Sequence, residues 1–222
     1  MESEGVPFLI ELLARYAVAR RGKRGTPGIS VAEIVDANLA QLPAGARRLL
    51  ETLAVAAHPL DPIVARDGAE IASDERPLVA ALAGEHLLRH TGANERIELY
   101  HDRIREALVQ RIPPERARSI HRHLIRALQQ NGVDDPETLY DHHLGAGEPE
   151  RACSWAIRAG ERAWNALAFE RAAEFYGRAL RLASTGQANL VDLRTRMGDA
   201  LANAGRGLDA AETYLEEVKD TR

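Results

Sequence analysis

The sequence is short of the residues that most chemistry needs. There is one cysteine, Cys153, in 222 residues, so no disulfide can form within the chain and no cysteine-rich zinc site is available. No G-x-x-x-x-G-K-[ST] run occurs, and with it the phosphate-cradling loop and its lysine are missing. H-E-x-x-H is absent too. No apolar run reaches the roughly 20 residues a membrane-crossing helix needs, and the N-terminus shows no secretory pattern. A cytoplasmic location is the default. Excess charge of one sign is also lacking: 29 Lys and Arg stand against 33 Asp and Glu, a formal net charge of -4. Nucleic-acid binders usually carry a marked basic excess, so the balance gives no support to one.

What is there is helical patterning. Residues 7–20 place Leu9, Leu12, Leu13 and Tyr16 at helical spacing behind Pro7. The turn-rich, basic stretch 20–28 reads as a connector. Ser30 with Glu33 is a capping box opening a helix through VAEIVDANLAQL. Pro43 begins the next helix, with Leu49, Leu50, Leu53, Ala54 and Ala57 on a broad apolar face. A short helix near 61–66 and a longer one near 75–84 follow. HLLRH and RIELYH then flank TGANE, where Gly92 and Asn94 favour a turn, which predicts a small β-hairpin. Three helices closed by a hairpin are the layout of a winged helix.

Beyond Asp102 only helices are expected. Pro113 and Pro114 separate two of them, Asp135 before Pro136 caps another, and Gly145 and Gly147 end it. The last third carries a weak repeat. Gly160, Ala163, Ala172, Tyr176 and Ala179 fall where two close-packed antiparallel helices need small and aromatic residues; Gly198, Leu201, Gly205, Ala210 and Tyr214 take equivalent offsets. The glycine lets one backbone approach the next, and the tyrosine fills the groove beside it. The loop STGQAN, residues 184–189, absorbs four residues beyond the ideal repeat, and the chain ends as though the solenoid continues.

This order of features resembles the region after the nucleotide-binding core in bacterial signal-transduction ATPases with numerous domains. Three stretches carry the resemblance. EGVPFLIELL, residues 4–13, looks like the glycine–x–proline end of such an ATPase domain, and implies that Gly5 and Pro7 lie against the nucleotide base. ELYHDRIREAL, residues 98–108, looks like the hydrophobic–His–Asp signature after the wing. It implies that His101 reaches the terminal phosphate of ADP while Asp102 caps the following helix. LYDHHLGAGEPERA through RAGERAWNALAFERAAEFYGRAL resembles the first repeats of the sensor solenoid.

The fold expected is mainly α: a winged-helix region with a small β-hairpin, then a tetratricopeptide-like α-solenoid. The implied domains are residues 1–28 closing the ATPase region, 29–111 the winged helix, and 112–222 the repeats. The implied function is non-catalytic and regulatory. ADP or ATP belongs to the complete parent protein and no cofactor to this chain alone; the partners are the upstream nucleotide-binding domain and a protein or small-molecule effector on the repeats. Two other readings compete: a free-standing helical interaction scaffold, and a DNA-binding winged-helix regulator. The second is weakened by SDERPLVAALAG, whose groove-entering end would offer two acids and one arginine to phosphates. His121 and His123, two apart, and the adjacent His142 and His143 do not share a helical face, so no metal site is expected. Cys153 reads as a small packed hydrophobe, and Trp155 and Trp164 as packing residues, one of which could line a groove of the solenoid.

Overall fold

The computed structural model describes residues 42–220 apart from 73, 94 and 184–189, with side chains to residue 216. The expected helices over 7–20 and from Ser30, the connector 20–28, Asn94 in the turn and the loop 184–189 lie outside the described residues. Within them the protein is mainly α, ten helices with one two-stranded hairpin. The chain divides into two compact units, residues 1–127 and 128–222.

The first unit opens with α1 (Ala44–Ala56), set off by Pro43. Its Leu49, Leu50, Leu53 and Ala54 are buried. Ala57, expected on that apolar face, is instead exposed, because it turns left-handed (φ 60°) and terminates the helix. α2 (Pro62–Gly68) starts where Asp61 accepts a hydrogen bond from Ile63 N–H at 2.8 Å. α3 (Arg76–Gly84) leads into β1 (Leu88–Thr91), which pairs antiparallel with β2 (Arg96–Leu99), Leu88 opposite Leu99 and His90 opposite Ile97. Leu60 adds a one-residue bridge to Ile97, with both N–H groups donating across it at 2.9 and 2.8 Å. Ile97 is fully buried, and Leu60, Leu82, Leu88 and Ile104 of the same unit are buried with it. α4 (Asp102–Val109) and α5 (Pro114–Gln130) follow. Arg116 of α5 reaches Glu51 of α1 at 3.2 Å, and Leu124 lies closest to Gly68.

The second unit is a run of hairpins: α6 (Pro136–Gly145), α7 (Pro149–Asn165), α8 (Phe169–Leu182), α9 (Leu190–Asn203) and α10 (Gly207–Asp220), each packed on the next in sequence. Three-residue links between α6 and α7, α7 and α8, and α9 and α10 force antiparallel neighbours. These links share one geometry. A left-handed residue (Gly147 at φ 76°, Leu167 at 59°, Gly205 at 78°) is followed by an N–H that reaches back five residues, Glu148 to His143, Ala168 to Ala163 and Arg206 to Leu201, each at 2.9 Å. That double turn satisfies the last helical carbonyls. Asp135 caps α6 by accepting from Thr138 N–H at 3.0 Å and its hydroxyl at 2.8 Å. Burial pushes its carboxyl up, but Thr138 and the ion-paired Arg162 together outweigh burial and hold it below the usual range.

Alanines make the core of this unit thin enough for close approach: Ala152, Ala156, Ala159, Ala172, Ala179 and Ala200 are buried beside Phe175, Tyr176 and Leu201. The expected glycine–tyrosine pairing is present twice. A Cβ on Gly160 would stand 2.6 Å from Tyr176 Cε1, and one on Gly198 would stand closer still to Tyr214. Both pairs span sixteen residues.

Candidate functional site

His101 sits at the turn between hairpin and helix, with extended backbone (φ -147°, ψ 141°). Its Nδ1 accepts from Arg103 N–H at 3.2 Å, so His101 is the residue that caps α4. This corrects the expected capping by Asp102. The extended conformation falls one residue earlier, and Asp102 is already in the first helical turn, where its charge suits the helix dipole. An Nδ1 that accepts cannot carry a proton, so the neutral ring bears its hydrogen on Nε2 and has that one donor to offer. Beside the turn lies a cleft of about 80 Å³ lined by Leu53, Ala57, His58, Pro59, Glu98, Leu99, Asp102 and Arg105. Ligand pockets typically run from about 300 to 1,000 Å³, so this cleft alone cannot hold a nucleotide. Gly5 and Pro7, the other residues expected at the nucleotide, lie outside the described residues.

A wider groove than this cleft lies in the second unit. Glu161, Trp164, Asn165, Tyr176, Arg196 and Asp199 line about 420 Å³. α7 supplies the first three residues, α8 supplies Tyr176, and α9 supplies the last two. Tyr176 is held at the base by its contact with Gly160, and burial pushes its hydroxyl's pKa up. Arg196 bonds Glu161 at 2.6 Å and Asp192 at 2.9 Å; Glu161 is the main reason its guanidinium is held charged. Tyr214 donates its hydroxyl to Asp199 at 2.7 Å. Trp164 packs edge-on to Phe169 at 5.1 Å. Of the groove residues, sequence reasoning reached Trp164 and Tyr176. It missed Glu161, Asn165, Arg196 and Asp199: Arg196 and Glu161 pair across 35 residues, and no local signal marks them.

Other candidates are accounted for by packing or pairing. Arg76 is tied to Asp74 at 2.9 Å, and that bond holds the Asp74 carboxyl below its usual range. Glu75 is buried 3.5 Å from Arg66. The start of α3 thus offers phosphate no uncommitted cation. Cys153 is buried and its thiol donates to Ala179 C=O at 3.4 Å, with burial pushing its pKa up. His143 is buried, stacked on Trp155 and 2.8 Å from Glu148, while His123 pairs with Glu70 at 3.2 Å. Among the described residues no group of three or more His, Cys, Asp or Glu side chains could hold a metal ion, and no helix is long and apolar enough to cross a membrane.

No protein-family model matches the chain, and no curated protein matches it. Among solved structures it is similar to a Signal Transduction ATPase with Numerous Domains protein with a tetratricopeptide repeat sensor from Pyrococcus horikoshii, at 13% identity and a TM-score of 0.44. The likeness covers 98% of this chain and 36% of that one, so the chain spans about a third of that protein's structure.

Proposed function

We propose that the chain is the regulatory, protein-interaction segment of a signal-transduction ATPase, coupling the nucleotide state of an upstream domain to partner binding on its helical repeats. In this reading residues 1–28 close the ATPase region, 29–111 form a winged-helix domain, and 112–222 form a tetratricopeptide-like solenoid. The observation that carries it is the duplicated steric device of the second unit. Gly160 under Tyr176 and Gly198 under Tyr214 are set by the same offset, and Tyr176 lines a groove with polar and aromatic walls. Three helices, the hairpin and the Leu60–Ile97 bridge support the winged-helix part.

His101 is the proposed link to ADP, with Gly5 and Pro7 at the base. Because Nδ1 is occupied by the helix cap, the contact to a phosphate oxygen would run through Nε2–H of a neutral ring. The test is His101→Asn in the complete ATPase-bearing protein. Asparagine caps a helix well but is too short to reach the phosphate, so it separates the two roles. Hydrogen bonds to charged groups contribute about 1.5–3 kcal/mol, so ADP affinity by titration calorimetry should fall roughly ten- to a hundredfold with unchanged melting. Unchanged ADP affinity would reduce His101 to a capping residue. The 222-residue chain alone should not bind ADP.

A further inference from the structure

Charge narrows what the groove of the second unit can receive. Arg196 is the one cation among its six lining residues, and it is committed to Glu161 and Asp192. Asp199 differs. Its Oδ1 accepts from Tyr214, a neutral donor, and no ion pair reaches it among the described residues. An ionised carboxylate has about four acceptor positions, so Asp199 keeps room for a charged, forked donor. Trp164, half-buried, and Tyr176 bring aromatic rings to the same wall. Ring faces attract cations, and a planar guanidinium can stack on one while bonding a carboxylate in a way a compact, strongly hydrated ammonium cannot. The surrounding field agrees. From residue 128 onward the sequence holds sixteen Asp and Glu against eleven Lys and Arg, net -5, whereas residues 1–127 hold seventeen against eighteen, net +1. The acidity of the protein is concentrated in the unit that carries the groove, which draws positive ligands towards it.

We propose that this groove binds an arginine side chain of a partner polypeptide, its guanidinium forked onto Asp199 and stacked against Trp164. The proposal rests on the reading of the repeats as an interaction module and adds the chemistry of the partner. About 420 Å³ accommodates one long side chain and a short stretch of backbone.

The full 222-residue chain is titrated calorimetrically with three end-blocked hexapeptides on a glycine–serine background. One carries two arginines, the second two citrullines of nearly the same shape without charge, the third two glutamates. The arginine peptide should bind, the citrulline peptide about tenfold more weakly, and the glutamate peptide not at all; binding should weaken with added salt. Asp199→Asn keeps an acceptor for Tyr214 and should weaken the arginine peptide about three- to tenfold at an unchanged urea midpoint. Equal binding of arginine and citrulline peptides, or an unaffected Asp199→Asn variant, overturns the proposal. Binding of the citrulline or glutamate peptide alone, abolished by Trp164→Ala, overturns it while leaving the interaction-module reading standing. Failure of all three peptides to bind counts against both.

Discussion

Replacing Gly160 by alanine should destabilise the second unit, although the same change in a helix interior ordinarily helps. Alanine is favoured over glycine there by about 0.5–1 kcal/mol, because glycine loses more backbone freedom on folding. Against that gain stands a Cβ 2.6 Å from Cε1 and 2.7 Å from Cδ1 of Tyr176. The ring cannot swing away cheaply, since Tyr176 is only 3% exposed within the packed core of the unit. Overpacking of this kind costs about 1–3 kcal/mol, so the balance falls on the destabilising side by roughly 1–2 kcal/mol. Gly177 is the matched control: it lies inside α8, and a Cβ there would meet Met197 Sδ at an ordinary 3.6 Å. Gly177→Ala should therefore stabilise by about 0.5–1 kcal/mol. Both tryptophans, Trp155 and Trp164, lie in the second unit, so tryptophan fluorescence in urea follows that unit alone. With a slope of about 1–3 kcal/mol per molar urea, Gly160→Ala should lower the midpoint and Gly177→Ala raise it. Tyr176→Leu, made together with Gly160→Ala, should recover part of the loss by removing the ring. If Gly160→Ala stabilises as Gly177→Ala does, the steric account of the repeat is wrong.

Leu167 holds a left-handed backbone where Gly147 and Gly205 serve the equivalent turns, and its side chain is 72% exposed. Leu167→Gly relieves about 1–2 kcal/mol of strain against about 0.5–1 kcal/mol of added unfolded-chain entropy, so the urea midpoint should rise; a fall would show that the leucine packs on something. In the first unit, burial is the main cause lowering the pKa of both His121 and His123, and for His123 it and three arginines outweigh Glu70. Their folded pKa values lie below the unfolded value near 6.5, so below pH 6.5 the unfolded chain takes up more protons. Stability is then complete above pH 6.5 and erodes as pH falls towards the folded values. Melting temperature should drop between pH 7.5 and 5.5, and His121→Gln with His123→Gln should flatten that drop; an equal drop in the variant would assign it to other groups.

What the sequence made legible was whatever rests on sterics or on strong local signals. Gly160 and Tyr176 are readable because few other residues leave and fill such a gap, and the capping of α6 by Asp135 because aspartate before proline has few other uses. The capping of α4 was misassigned for the same reason: aspartate is the better capping residue in general, and only the backbone angles reveal that His101 holds the position. Leu167 was unreadable as a left-handed turn, since it lacks the glycine that marks its counterparts. The groove was unreadable because Arg196 and Glu161 are 35 residues apart, and nothing local signals their pairing.

The resolved shifts of the carboxyls, histidines, thiol and tyrosine run in one sense. Acid–base catalysis near neutral pH needs carboxyls pushed up or a histidine poised near 7, and nucleophilic cysteine needs a lowered thiol. Here Asp74 is pushed down by Arg76, Asp135 by Thr138 and Arg162 against burial, and Glu174 by Arg178 and Arg171 against burial. The Cys153 thiol and the Tyr176 hydroxyl are pushed up by burial, and His121 and His123 down. Each change deepens the charge state the group already holds at neutral pH, so none prepares a proton transfer. Other arginine–carboxylate bonds join elements far apart in sequence, Arg171 to Glu137 and Arg196 to Glu161. Groups spent on fixing helices against one another give a groove of defined width and fixed charge, which is what binding a partner's side chain requires.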